Sequence, residues 1–285
     1  MKLSLNDRNA KLNPVSFATR LQCVYDWLLV SSYSTNGIAV PPRALRHFVN
    51  LTAYEYAHTI RGFLEGKQRV LVVGDAGGRD SYFLRMAGKD VYVLDIASQA
   101  LPYFILGDVT KPLPFSDQSF DAVVMAEVIE HLIEDYESLK EVSRILREDG
   151  VLVLTVPFYN DVPDWHVRVH SPLSISRLLE AAGFRITEYI EKGGGCALLE
   201  RWRAYGYTVH ALNLFAFLLT RRTFYRPLNN FLARIDKTLG RKRNSLWHGW
   251  SRCYGAFIKC EKSLPRDFGA LNKQAFASLS PDPRL

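Results

Sequence analysis

A chain of 285 residues with 48% hydrophobic residues is long enough to bury a sizeable core, which excludes an extended or disordered polymer. The net charge of +7 is regional: residues 201–252 hold eleven Lys or Arg against one acid, Asp236, so the remainder of the chain is net negative. Four cysteines, Cys23, Cys196, Cys253 and Cys260, show no CxxC or Cys/His spacing, which argues against a zinc or disulfide framework and for reduced thiols.

The stretch MKLSLNDRNAKLN contains no basic run leading into an apolar one, so no secretory signal is expected and a cytoplasmic location is. Residues 1–65 read as a helical cap. Pro41 and Pro42 suit a first helical turn, and Leu45, Val49, Tyr56, Ile60 and Phe63 recur near the helical period. From residue 66 to 262 the pattern changes to short β-rich runs, RVLVV, DVYVLD, FDAVVMA, GVLVLTVP, FRITEYIE and GAFIKCEKS. Helix-like stretches separate most of them. Strands that are apolar throughout and alternate with helices imply a doubly wound α/β fold with a parallel sheet covered on both faces. Residues 193–253 interrupt the rhythm as a basic insertion before the last strand, and residues 263–285 read as a mobile tail.

In such sheets a ligand sits beyond the carboxyl ends of the strands, where the first strand turns into the first helix. Gly74, Gly77 and Gly78 occupy that turn. Asp95 ends the next strand, 21 residues after Gly74, where a carboxylate can accept both hydroxyls of a ribose. The dinucleotide fingerprint would want glycine where Ala76 and Arg79 stand, so NAD and FAD are disfavoured. Asp108 ends another short apolar run, YFILGDV, and supplies a carboxylate or its neighbouring amides to an adenine edge.

The motifs VLVVGDAGG, VYVLDIA, GDVTKPLPFSDQSFDAVVMAEVIEHL, REDGVLVLTVP and LLEAAGF, in this order across roughly residues 66–192, resemble those of class I S-adenosylmethionine-dependent methyltransferases. The resemblance is to the methyltransferase type 11 subgroup typified by ubiquinone- and menaquinone-biosynthesis enzymes. It implies a Rossmann-like seven-stranded sheet with the last strand antiparallel. It also implies S-adenosyl-L-methionine as cofactor: Gly74, Asp75, Ala76, Gly77 and Gly78 at the methionine end, Asp95 with Ile96 at the ribose, and Asp108 with Val109 around the adenine. Two positions depart from the family pattern. Val72 stands where an acid is usual, with Asp75 near enough to supply a charge, and Ala76 replaces a glycine.

Methyl transfer asks the protein to align a nucleophile and, for a hydroxyl, to remove its proton. EVIEHL is expected to open a helix just after the fourth strand, with Glu127, Glu130 and His131 at i, i+3 and i+4 on one side. His131 is a candidate base, with Glu127 and His166 as further catalytic candidates. The three, joined by His166 or His170, also resemble the metal-binding constellation of small-RNA 2′-O-methyltransferases and ubiquinone O-methyltransferases, so a divalent metal stays open. So does a plain helix-capping or solvated role for the acids. PDWHVRVHSP precedes a helix with Ser171 at its N-cap and Pro172 in its first turn. Within it, His166 and Arg168 either meet the acceptor or, for Arg168, pair with an internal acid.

The stretch AYGYTVHALNLFAFLLT, residues 204–220, is apolar between Arg201, Arg203, Arg221 and Arg222 but is interrupted by His210 and Asn213, and it falls short of a bilayer span. Leu228, Phe231, Leu232, Ile235 and Leu239 then share one helical face, with Arg234, Lys237 and Arg241, Lys242 and Arg243 available to the other. With Trp202, Trp247 and Trp250 the insertion reads as a dock for an anionic membrane, as packing against its own domain or a second subunit of a homodimer, or as an RNA contact. The expected activity is O-methylation of a lipid-linked, glycan or isoprenoid-type acceptor at the inner face of a membrane. A soluble metabolite, an RNA ribose and a non-catalytic adaptor role are the alternatives.

Overall fold

The computed structural model describes residues 17–33, 40, 42–46, 51–75, 77–158, 166–192, 203–228, 230–231, 234 and 255–278. Three helices come first: α1 (Phe17–Tyr33), α2 (Pro42–Arg46) and α3 (Leu51–Phe63). Then β1 (Arg69–Val73), α4 (Arg79–Met86), β2 (Asp90–Asp95), β3 (Phe104–Leu106) and β4 (Phe120–Ala126) alternate in the doubly wound manner. After a 3-10 turn at Ile129–His131 follow α5 (Asp135–Ile145), β5 (Leu146–Pro157), α6 (Pro172–Ala181) and β6 (Phe184–Lys192). The last described elements are α7 (Arg203–Thr220), β7 (Gly255–Lys262) and α8 (Phe268–Ser278).

The seven strands form one sheet in the order β3-β2-β1-β4-β5-β7-β6. β1 to β5 run parallel, and β7 inserts antiparallel between β5 and β6, as the resemblance implies. Apart from Arg69 and Asp121 at their starts, β1 and β4 are apolar because helices cover both faces: Val70, Leu71, Val72, Ala122, Val123, Val124 and Met125 are all fully buried. Leu71, Val123, Leu152 and Ile258 face one core with α5 and α6, whereas Val70, Val72, Val124 and Phe257 face the other with α3. Ser171 caps α6 by accepting from the Ser174 amide at 3.1 Å, with Pro172 in the first turn.

A further core joins the N-terminal helices to α7. Leu28, Leu29, Ala44, Leu45, Tyr82 and Phe83 pack with Val209, Phe217 and Tyr225. The two polar interruptions of α7 face inward here. Asn213 is fully buried and its Oδ1 accepts from the Phe224 amide at 2.7 Å, while His210 Nδ1 meets the Tyr225 hydroxyl at 2.5 Å. The opposite face of α7 is apolar and in solvent: Leu212, Phe215, Leu218 and Leu219 are 55%, 62%, 61% and 69% exposed. Among the described residues no helix is long and apolar enough to cross a membrane. Of the insertion's basic and tryptophan positions, Arg201, Trp202, Lys237, Arg241, Lys242, Arg243, Trp247, Trp250 and Arg252 lie outside the described residues, as do Leu232, Ile235 and Leu239.

Within the stretch read as a mobile tail, α8 forms instead. Asp267 Oδ1 accepts from the Ala270 amide at 2.9 Å in its first turn, and Arg266 anchors the approach through Glu180 at 2.9 Å.

Gly255 opens β7 where no side chain fits. A Cβ there would lie 2.3 Å from the Val156 carbonyl oxygen and 2.6 Å from Lys192 Cε. Gly255→Ala is therefore expected to cost about 1–3 kcal/mol of stability by forcing β7 off β5. Urea denaturation checks this; an unchanged midpoint would mean that the strand ends give way freely.

Candidate functional site

A cleft of about 470 Å³, within the range of small-molecule sites, opens at the carboxyl ends of β1, β2 and β4. It lies where the strand order reverses between β1 and β4. Gly74 forms its floor with φ 69°, and a Cβ there would meet Val128 Cγ2 at 2.7 Å. Gly78 has φ 97° at the N-cap of α4, where a Cβ would strike the Tyr82 ring at 2.6 Å. Both positions demand glycine for backbone angle and for space. Ala76 lies outside the described residues.

Asp75 does not take over the charge missing at Val72. It is fully buried and caps α4, accepting from the Asp80 amide at 2.8 Å and the Ser81 amide at 3.2 Å. Burial, and then the Asp80 carboxylate, push its pKa up to about 7. Beside it Arg79 pairs with Asp80 at 2.6 Å and lies over the Tyr56 ring.

Asp95, Ile96, Asp108 and Val109 all line the cleft. Asp95 accepts from the Ala97 amide at 2.9 Å and from Gln99 Nε2 at 2.5 Å. The same Gln99 accepts from the Gly77 amide at 3.1 Å, so one side chain ties the glycine turn to the carboxylate at the end of β2. Ile96, 76% exposed, and the buried Val109 form an apolar shelf. Asp108 Oδ1 accepts from the Thr110 amide at 2.9 Å, which holds its pKa below the ordinary carboxylate value.

EVIEHL does not form the expected α-helix. Glu127 takes a left-handed φ of 57° and the chain then makes only the 3-10 turn Ile129–His131. The acids consequently part. Glu127 lines the cleft, accepts from Thr155 Oγ1 at 2.9 Å and pairs with Lys192, whose ammonium also meets the Tyr56 hydroxyl. Burial raises the Glu127 pKa, but the Lys192 charge and the hydrogen bonds around it prevail and hold it below its ordinary value. Glu130 goes the other way: it is 1% exposed, neither carboxylate oxygen has a hydrogen-bond partner among the described residues, and burial followed by the Glu127 charge pushes its pKa up to about 8.

His131 stands at the cleft with a 36% exposed side chain, its Nε2 3.9 Å from Glu130 Oε1. His166 packs edge-on against it at 4.7 Å between ring centroids. Glu130, His131 and His166 thus come together, each able to offer one ligand atom within 4.8 Å of the others. His170 is held apart: it is buried beside a smaller cavity also lined by Asp135 and Arg168. Arg168 pairs with the buried Asp135 at 3.1 Å, the internal-acid alternative for that residue.

Lys192, Tyr56 and Thr155, which hold Glu127, and Gln99, which holds Asp95, support this site, and the sequence marks none of them for that role. Lys192 left a faint signal, a cation at the end of a β-rich run immediately before three glycines.

Residues 71–154 match a family described as a methyltransferase domain. A protein of Mycolicibacterium smegmatis described as a probable S-adenosylmethionine-dependent methyltransferase is 33% identical over 96 residues, covering 31% of this chain and 37% of that one. A demethylmenaquinone methyltransferase of Renibacterium salmoninarum is 36% identical over 96 residues, covering 30% of this chain and 40% of that one. The match thus spans about two fifths of either relative. Among solved structures, one described as a SAM-dependent methyltransferase from Archaeoglobus fulgidus superposes with a TM-score of 0.50 at 14% identity, over 75% of this chain and 94% of that one, a likeness of fold.

Between its ordinary value of 4.5 and about 8, folded Glu130 keeps a proton that the unfolded chain has released, so its contribution to stability falls as pH rises through that window. Glu130→Gln is expected to remove this slope, narrowing the stability difference between about pH 5 and about pH 8.5 by roughly 2–4 kcal/mol. Denaturant titrations at the two pH values check it; a slope equal to wild type would show that the carboxyl ionises freely in the fold.

Proposed function

We propose that this chain, which carries a methyltransferase domain of the class I S-adenosylmethionine-dependent type, transfers a methyl group to an oxygen of a lipid-linked, glycan or isoprenoid-type acceptor at a membrane surface. The observation that carries the reaction class is the cleft itself: Gly74, Asp95 and Asp108 line one cavity at the point of strand reversal. Its residues fit S-adenosyl-L-methionine. Gly74 offers backbone without a Cβ, Asp95 a carboxylate at the height of a ribose diol, and Ile96 with Val109 an apolar shelf for a base. When bound, that cofactor supplies an activated methyl group.

The chain's own work is to hold the acceptor and receive its proton. His131, on the rim of the cleft, takes the hydroxyl proton. A divalent ion held by Glu130, His131 and His166 is the second reading, favoured by their clustering; it would lower the pKa of the same hydroxyl and make the reaction chelator-sensitive.

The membrane assignment rests on α7. Its outward row, Leu212, Phe215, Leu218 and Leu219, is followed by the exposed Arg221 and Arg222. Apolar side chains beside cations suit the boundary of an anionic bilayer. The demethylmenaquinone methyltransferase among the relatives is compatible with an isoprenoid acceptor.

Asp95→Ala should weaken binding of S-adenosylmethionine by about 1–3 kcal/mol in calorimetry, because a charged acceptor of two hydroxyls is lost. Unchanged affinity would place the nucleoside elsewhere. In flotation with vesicles containing anionic lipid, the protein should rise with the vesicles and a Leu212→Glu/Phe215→Glu variant should remain below. Equal partition of the two would remove the membrane from the proposal.

A further inference from the structure

The methionine end of the proposed cofactor brings a permanent difficulty of charge. It carries an ammonium group, and the turn that receives it has no carboxylate to offer: Val72 is in the core and Asp75 is wholly engaged in capping α4. Of the acids lining the cleft, Asp95 and Asp108 stand at the ends of β2 and β3, and Glu134 lies beyond the 3-10 turn. Glu127 is the one that adjoins the glycine floor, since its neighbour Val128 is the residue that Gly74 packs against.

Three features mark Glu127 as built for this position. Its backbone occupies the left-handed region at φ 57°, a conformation that favours glycine or asparagine, and such strain is retained where the side chain is needed. Its amide donates to the Thr155 carbonyl at 3.0 Å, which locks the bend. Its Oε1 receives both Thr155 Oγ1 and the Lys192 ammonium, while the side chain stays 30% exposed toward the cleft. Lys192 itself is fully buried and cannot reach a ligand.

We propose that Glu127 is the acceptor for the α-ammonium group of S-adenosylmethionine, and that Lys192 is a positioning residue that keeps this carboxylate ionised and aimed into the cleft. The inference rests on the methyltransferase reading and assigns the methionine end of the same site. Lys192 and Thr155 hold Oε1 and the Tyr56 hydroxyl also bonds the carboxylate, whose part exposed to the cleft serves the ligand. A buried ion pair of this kind contributes orientation more than stability.

The test compares two ligands by calorimetry: S-adenosylhomocysteine, which carries the amino acid moiety, and 5′-methylthioadenosine, which lacks it. Glu127→Gln is expected to weaken S-adenosylhomocysteine about ten- to a hundredfold, the loss of a charge-assisted hydrogen bond, and to leave 5′-methylthioadenosine within about twofold. Lys192→Met should show the same selective loss, with retained 5′-methylthioadenosine binding proving that the cleft is intact. Equal weakening of both ligands, or of neither, overturns the assignment of Glu127. If the wild-type protein binds neither ligand while its fold is intact by circular dichroism, the methyltransferase reading fails and takes this inference with it.

Discussion

A single cation with no access to water organises the centre of this protein. Lys192 ends β6 in a position sealed by β7, and a buried ammonium without a partner would cost several kcal/mol. The surroundings meet that demand from four directions. Gly255 leaves room for the stem, Tyr56 supplies a hydroxyl and a ring face, and Thr155 steadies the carboxylate that Glu127 brings in through its left-handed backbone. The bend at Glu127 in turn prevents a helix from starting at once after β4, so the next residues form a short turn that presents His131 and buries Glu130. Sheet, turn and cleft are therefore linked through one charge.

The two acids of EVIEHL show how position divides labour between like groups. They are three residues apart, yet one is held charged by a lysine and the other is kept protonated by burial. Separation of this kind gives a site a fixed negative charge and a proton-exchanging group from the same residue type.

Much of the sheet was legible because its cause is local: RVLVV, DVYVLD and FDAVVMA are apolar at nearly every position, as buried parallel strands must be. The glycine turn and Asp95 were legible for the same reason, a bend and a strand end at fixed separation. The turn after β4 was not, because spacing of i, i+3 and i+4 is the same whether the residues enter a helix or follow a left-handed bend. Asp75 was misleading since a carboxylate beside a glycine can serve a ligand or the helix that follows, and only the placed amides of Asp80 and Ser81 decide. In α7, His210 and Asn213 read as flaws in an apolar run, but the chain folds back at residues 224–225 and makes them its internal anchors. Lys192 gave little warning, because a lysine at a strand end ordinarily meets solvent and only the late arrival of β7 encloses it.

Tyr56 on α3 has a consequence of its own. Its ring lies within 5 Å of two cations, Arg79 at 4.9 Å and Lys192 at 4.6 Å, one from the first helix after the glycine turn and one from the far side of the sheet. Each cation is balanced by its own carboxylate, Arg79 by Asp80 and Lys192 by Glu127, and the ring adds an attraction to both through its negative face. Sliding α3 away would withdraw that ring from both at once, so α3 is coupled mechanically to the cleft although, among the described residues, it supplies none of its lining.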